Sequence, residues 1–462
     1  MSFFSKLFRQ KKDLPMSKSE NDENAVILMY KDIPVAKISL DNMQSSSTIS
    51  RLDKVYNMEH IPIGCIPPTN VLLYNPTEEL SEQDRRTVLT YLCQWYESRC
   101  IPSQRPNLQE ALQTLGIQSV NELSCKALGL SLTDQYWFKP ISAPALSWKQ
   151  VNLFENGFSR DVGDVLFEPT TQKLSYDYIS PDPSTIGIDI KRWITGIDGE
   201  KYLIKANPKY AQVAVNESIA SLIAKKLNVK AVHYDTVFAN IRHNNEEKTC
   251  LFAVSKNFCD IEHSFIPVRV WKSQFSPSTT HVAVEHILAD PELATDFRKM
   301  IALDFIMNNE DRHDENFGIL MDHTTGHIEM APVFDTGNSL FYDESISSQW
   351  VSDSSKLFSS SHHGNMFAIF RTASDINWFD NSEFLNIRNE MMELMENSNI
   401  EIIRRNRMCD VVEERVAELR EHQIRLINKQ MHHETLDDII GSIDDNSAVN
   451  TDIIPNGLED ER

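Results

Sequence analysis

Seven cysteines in 462 residues, none in a CxxC pair, supply neither a disulfide framework nor a zinc site. Cys93 and Cys100 stand seven apart and the others are isolated, the pattern of free thiols in a reducing compartment. No stretch approaches the roughly 20 apolar residues that a membrane-spanning helix needs. Basic residues are in deficit: 45 Lys and Arg face 67 Asp and Glu, for a net charge of −22. That excludes a general nucleic-acid binder, because neutralising phosphates takes clustered cations. Neither GxGxxG nor GxxxxGK(S/T) occurs, and no internal repeat is found. What remains, 41% hydrophobic and 24% charged, is ordinary for a soluble globular chain of two or three domains.

The opening MSFFSKLFRQKK interleaves Phe3, Phe4, Leu7 and Phe8 with Lys6, Arg9, Lys11 and Lys12. A flexible segment is expected over 1–24, with residues 1–12 able to rest on an anionic membrane surface. The apolar core of a secretory signal is lacking. Residues 25–43 read as two short strands. Residues 80–98 read as a helix with Ser81 as N-cap and Val88, Leu89, Leu92 and Trp95 at helical spacing, and 107–130 continue helical. Asp198-Gly199 between ITGI and KYLI signals a hairpin. A helix follows over 215–227, then two strands at 232–241 and 250–254. Strand hairpin, helix, strand hairpin is the order of a kinase small lobe. Beyond residue 263 the chain turns mostly helical, with 295–307 apolar nearly all round, as in a buried helix, and a long helix over 399–427. The acidic stretch from Glu434 is expected to be unstructured.

The chemistry concentrates in N308-N-E-D-R-H-D-E-N-F-G-I-L320 and A331-P-V-F-D-T-G-N-S-L340. Phosphoryl transfer is mostly positioning and charge neutralisation. The acceptor hydroxyl needs a nearby carboxylate, and Asp311 supplies one. Magnesium takes hard oxygen ligands and keeps several waters; Asn316 on the same loop and Asp335 on the next offer two. A hairpin of Phe317–Met321 with His327–Met330 would bring Asn316 and Asp335 together. Asp, Asn and Gly are also common turn residues, so it is the combination that carries the reading: D-R-H-x-x-N, a hairpin-length gap, then an apolar run into D-T-G.

This segment resembles the HipA-like protein kinases of bacterial toxin–antitoxin modules, and shares its motif order with the phosphatidylinositol kinases. The resemblance spans roughly residues 140–430. It implies Asp311 as catalytic aspartate, His313 as the histidine that supports the catalytic loop, and Asn316 and Asp335 as Mg²⁺ ligands. Arg312 is either structural or in touch with phosphates, which the spacing does not separate. Upstream, the resemblance implies that Lys205 reaches the ATP phosphates, held by an ion pair with Glu217. A reduced glycine loop, with Ser184, Thr185 and Gly187, is expected to cradle phosphate through backbone N–H groups. Residues 254–260 are expected to form the hinge, with Phe258 either a core residue or a wall of the adenine pocket.

The fold expected is therefore α+β: a bilobal protein-kinase-like arrangement preceded by a mixed N-terminal subdomain. The segments would be a flexible stretch (1–24), the N-terminal subdomain (25–140), a β-rich small lobe (141–262), a helical lobe (263–432) and an acidic tail (433–462). The function expected is an ATP- and Mg²⁺-dependent serine/threonine protein kinase, cytoplasmic in a bacterium or a secreted effector. It would act on a protein substrate, with an antitoxin partner implied by the resemblance and no direct nucleic-acid contact. The alternatives are a lipid (phosphoinositide) kinase, disfavoured by the acidic, serine-rich run after Tyr342, and a catalytically weak binding component of a toxin–antitoxin complex.

Overall fold

Short apolar runs, the first of them Ala25–Tyr30 and buried at five of its six positions, make the N-terminal part fold around a sheet. The computed structural model describes residues 25–40, 49–63, 65, 80–169, 175–207, 209–243, 246–275, 278–346 and 369–447, the side chains of 241–243, 246–248 and 433–447 excepted. The amphipathic start, residues 347–356 of the acidic serine-rich run, and the last fifteen residues of the tail (448–462) lie outside these. Strands β1 (Ala25–Tyr30), β2 (Ile33–Leu40), β3 (Ile49–Val55) and β4 (Tyr136–Pro140) form an antiparallel sheet in the order β3-β2-β1-β4. β3 was not expected, since Arg51, Asp53 and Lys54 hide its alternation. Helices α1 (Glu82–Glu97), α2 (Leu108–Leu115) and α3 (Val120–Lys126) join this region. Ser81 caps α1, its hydroxyl accepting from the Asp84 N–H at 3.1 Å. The continuous helix expected over 107–130 is instead two, broken where Gly116 adopts φ +67° and ends α2.

The second sheet is the one that carries the site. After α4 (Asp161–Phe167), strands β5 (Ile190–Thr195) and β6 (Lys201–Ala206) form the hairpin signalled by Asp198-Gly199, with Thr195 opposite Lys201 and Gly199 at φ +85°. Helix α5 (Gln212–Lys226) packs against β7 (Tyr234–His243) and β8 (Glu246–Lys256), and the sheet order is β5-β6-β8-β7.

Beyond the hinge comes a strand that was not expected, β9 (His263–Pro267). It pairs with β10 (Gly318–Asp322), which forms the expected hairpin with β11 (Ile328–Met330). A Cβ at Gly318 would strike the Ile266 carbonyl oxygen, so glycine lets β9 approach. Helices α6 (Thr280–Ala289), α7 (Pro291–Met307), α8 (Ile387–Leu394) and α9 (Ile402–Ser447) complete this lobe. Asp290 caps α7 through the N–H groups of Glu292 and Leu293, and the helix is buried almost throughout its last turns. α9 runs to Ser447, into the stretch expected to be unstructured. The architecture is thus the expected α+β bilobal, kinase-like one. No helix among the described residues is long and apolar enough to cross a membrane.

Candidate active site

Between the two lobes lies a cavity of about 830 Å³, lined by Ser184, Thr185, Gly187, Lys205, Phe258, Asp311, His313, Asn316 and Asp335 among others. Glu217 stands just behind it, fully buried. The residues singled out from the sequence therefore come together around one space.

Local hydrogen bonding explains the shape of the loop that carries Asp311. α7 ends at Asn308, which takes the left-handed conformation (φ +48°) and turns the chain. The Asn309 side chain bridges the helix and the loop, donating to the Asp304 carboxylate at 2.7 Å and accepting from the Asp311 N–H at 3.0 Å. Asn316 donates its side-chain amide to the Asp311 carbonyl at 2.9 Å. With the amide nitrogen so fixed, its oxygen is the atom that could take a cation. The Asp311 carboxylate accepts from the Asn338 amide at 2.8 Å. His313 accepts the Glu315 N–H at its Nδ1, 3.2 Å away, so it braces the loop from within.

Arg312 is structural. Its side chain is wholly inaccessible, and its guanidinium forks onto the Asp304 carboxylate with two bonds of 2.9 Å. It also donates to the carbonyls of Asn316 (2.7 Å) and Phe334 (2.5 Å). One side chain thus ties α7 to the Asn316 loop and to the Asp335 loop, a task only a multi-donor planar fork performs.

Asp335 sits in the left-handed region at φ +57°, which Asp tolerates better than most residues. A parallel bridge between Ala231 and Val333 positions the strand that leads to it. Its carboxylate pairs with Lys205, which also pairs with Glu217, as the resemblance implied. Glu217 in turn accepts the N–H groups of Thr336 (3.1 Å) and Gly337 (3.0 Å). A Cβ at Gly337 would lie 2.7 Å from Val213, so only glycine lets this turn reach α5. Burial alone would raise the Asp335 carboxyl, but the ammonium groups of Lys205 and Lys191 and the Arg312 guanidinium outweigh it and hold it well below the usual range. Burial likewise opposes the Lys205 charge, and Asp335 and Glu217 reverse that, raising it well above an ordinary lysine. The Asp335 side chain keeps 29% exposure against 4% for Lys205 and 0% for Glu217. It is therefore the acid of the three that remains open to the cavity.

Phe258 stacks on Phe334 at 5.6 Å and lines the cavity. The reduced glycine loop needs a correction. The N–H groups of Ser184 and Thr185 donate to Pro181 and Asp182 within a short turn, so they are not free to cradle phosphate. Three contributors were missed. Asn338 had no local signal. Arg105, from the N-terminal region, donates to the Gly187 carbonyl at 3.0 and 2.8 Å and to the Thr185 carbonyl. Lys191 lies opposite Lys205, which counting outward from the hairpin turn would have revealed.

Fold and site together define a kinase-like protein. No protein-family model and no curated protein matches the sequence. Among solved structures the chain is similar to HipA of the Shewanella oneidensis toxin–antitoxin system, solved with HipB and operator DNA (14% identity, 87% of this chain and 97% of that one, TM-score 0.45). It is also similar to the Helicobacter pylori proinflammatory kinase CtkA (16%, 52% and 95%, TM-score 0.41) and to the golgi casein kinase (11%, 52% and 69%, TM-score 0.33).

Proposed function

We propose that this protein is an ATP- and Mg²⁺-dependent protein kinase that phosphorylates serine or threonine hydroxyls. The observation that carries the reading is that Asp311, Asn316, Asp335 and Lys205 line one cavity between the lobes. The donor set fits magnesium: an ionised carboxylate (Asp335) and an oriented amide oxygen (Asn316) face the same space, and water completes such a shell. When bound, the cation would neutralise charge on the β- and γ-phosphates.

In this reading the hinge and Phe258 hold the adenine, and Lys205 moves from its carboxylate partners toward the phosphates. The Asp311 carboxylate, kept in place by Asn338, orients the acceptor hydroxyl and takes its proton. The acceptor oxygen bonds to the γ-phosphorus as the bond to the β,γ-bridging oxygen breaks, and ADP leaves. His313 and Arg312 shape the loop and do not touch the reacting atoms. An antitoxin-like protein partner belongs to the same reading.

The test is incubation of the full chain with γ-labelled ATP, Mg²⁺ and a bacterial proteome, comparing wild type with Asp311→Ala. Label on protein serine or threonine is expected from wild type alone. Equal labelling by both removes Asp311 from the chemistry. Label found only in added lipid vesicles would replace the reading with a lipid kinase.

A further inference from the structure

Residues 132–135, which lead directly into β4, are hydrogen-bonded to the chain that links the two lobes, residues 257–265. The Thr133 carbonyl accepts the Phe265 N–H at 2.9 Å. The Leu132 carbonyl accepts the Asn257 side-chain amide at 3.0 Å. Gln135, fully buried, donates its amide to the carbonyls of Asp260 and His263, both at 3.0 Å, and its oxygen accepts the Ser264 hydroxyl. Both hydrogens of that amide are thus spent on the linker.

Each side of this contact is itself held. Arg99 forks onto the Asp134 carboxylate with bonds of 2.7 and 2.8 Å, and the Lys31 N–H donates to the Gln135 carbonyl at 3.1 Å. The Lys31 ammonium then reaches the linker and pairs with Glu262 at 2.8 Å. On the other side the Asn257 N–H donates to the Lys201 carbonyl at 2.8 Å, at the start of the strand that carries Lys205. Thr133 and Asp134 line the cavity together with Asn257, Phe258 and Phe265, while Gln135 lies behind that lining. The N-terminal region is therefore one wall of the site. The linker cannot leave Gln135 without orphaning buried carbonyls, and a binding segment fixed beforehand spares the ligand the cost of ordering it.

We propose that Gln135 is a positioning residue for the purine: it clamps the linker onto the N-terminal sheet and so fixes the backbone of residues 256–259 in the place that adenine needs. This rests on the nucleotide reading above. Gln135 acts through the linker and touches no reacting atom.

The experiment measures binding of Mg·ATP and of Mg·tripolyphosphate, which lacks the purine, to the full chain as wild type, Gln135→Met and Ser264→Ala. Amide hydrogen exchange is followed over residues 257–265, with α7 as the internal control. Methionine keeps the bulk of Gln135 and removes its donors. Misplacing about one hydrogen bond's worth of contact corresponds to about three- to tenfold in affinity. Gln135→Met is expected to bind ATP weaker by about that factor, with tripolyphosphate affinity unchanged within about twofold. Exchange should quicken over 257–265 and stay as it was in α7. Equal losses for both ligands, with α7 also exchanging faster, would mean general loosening and overturn the proposal. Unchanged ATP affinity in a folded Gln135→Met overturns it too and leaves the kinase reading standing. Ser264→Ala removes one of the three partners of Gln135. Should the Met variant fail to fold, faster exchange over 257–265 in Ser264→Ala with a selective loss of ATP affinity supports the clamp, and wild-type behaviour in both overturns it. Wild type that binds no ATP removes the nucleotide reading, and this proposal with it.

Discussion

Replacing Arg312 by methionine keeps the length of the side chain and removes every donor. The Asp304 carboxylate, 1% exposed, would then keep the Asn309 amide as side-chain partner. Breaking a buried ion pair by deleting one member costs about 3–5 kcal/mol. The carbonyls of Asn316 and Phe334 also lose their donor, and each unsatisfied buried acceptor adds about 1 kcal/mol. The expected loss is therefore on the order of 5–7 kcal/mol, a large share of the 5–15 kcal/mol that holds a typical domain together. Asp304→Leu alone strands the guanidinium and should cost about 3–5 kcal/mol. The double variant removes both charges and leaves only the orphaned carbonyls, so its cost should fall to about 2–3 kcal/mol. Urea unfolding followed by tryptophan fluorescence gives the three values. The coupling expected from the cycle is at least about 3 kcal/mol; single costs that add in the double variant within about 0.5 kcal/mol would refute the account of Arg312 as the clasp between two loops and α7.

Glu217→Gln keeps the shape but turns one acceptor oxygen into an amide donor facing Lys205 or a loop N–H, so urea stability should drop by about 1–3 kcal/mol; a variant as stable as wild type counts against the ion pair. Asp335→Ala should abolish Mg²⁺-dependent turnover, and turnover with an unaltered magnesium profile removes its assigned role. Burial raises the Asp182 carboxyl to about 6, above its unfolded value. Its contribution to stability is thus complete below the unfolded pKa and is lost as pH rises through the folded one. On going from pH 7 to 5 wild type should therefore gain about 1 kcal/mol relative to Asp182→Asn, and parallel stability curves for the two proteins would contradict this.

Much of the site was legible because its residues are close in sequence. Asp311, Asn316 and Asp335 sit on two adjacent loops joined by a hairpin of two short strands, and the turn at Asp198-Gly199 set the register that puts Lys205 at a strand end. The contributors that escaped act across distance. Arg105 meets the glycine loop from a residue 80 positions earlier, and nothing local to an R-P-N turn announces that contact. β9 is short, ends in proline and finds its partner only in β10. The Ser184 and Thr185 N–H groups looked available because a sequence shows which donors exist, and the short turn that consumes them appears only once the chain is folded.

The fourth strand of the first sheet has a practical bearing. β1 lies between β2 and β4. Trp137 within it is completely enclosed and donates its indole N–H to the Lys31 carbonyl at 2.7 Å. Cutting the gene near residue 141 to express the C-terminal part alone would leave the four strands together but divide the apolar cluster in which Met29, Leu132 and Trp137 pack with Trp148, Leu153 and Trp193, and so uncover apolar surface on both fragments. Such fragments should aggregate, so trimming for crystallisation belongs at the ends of the polypeptide and not at that apparent seam.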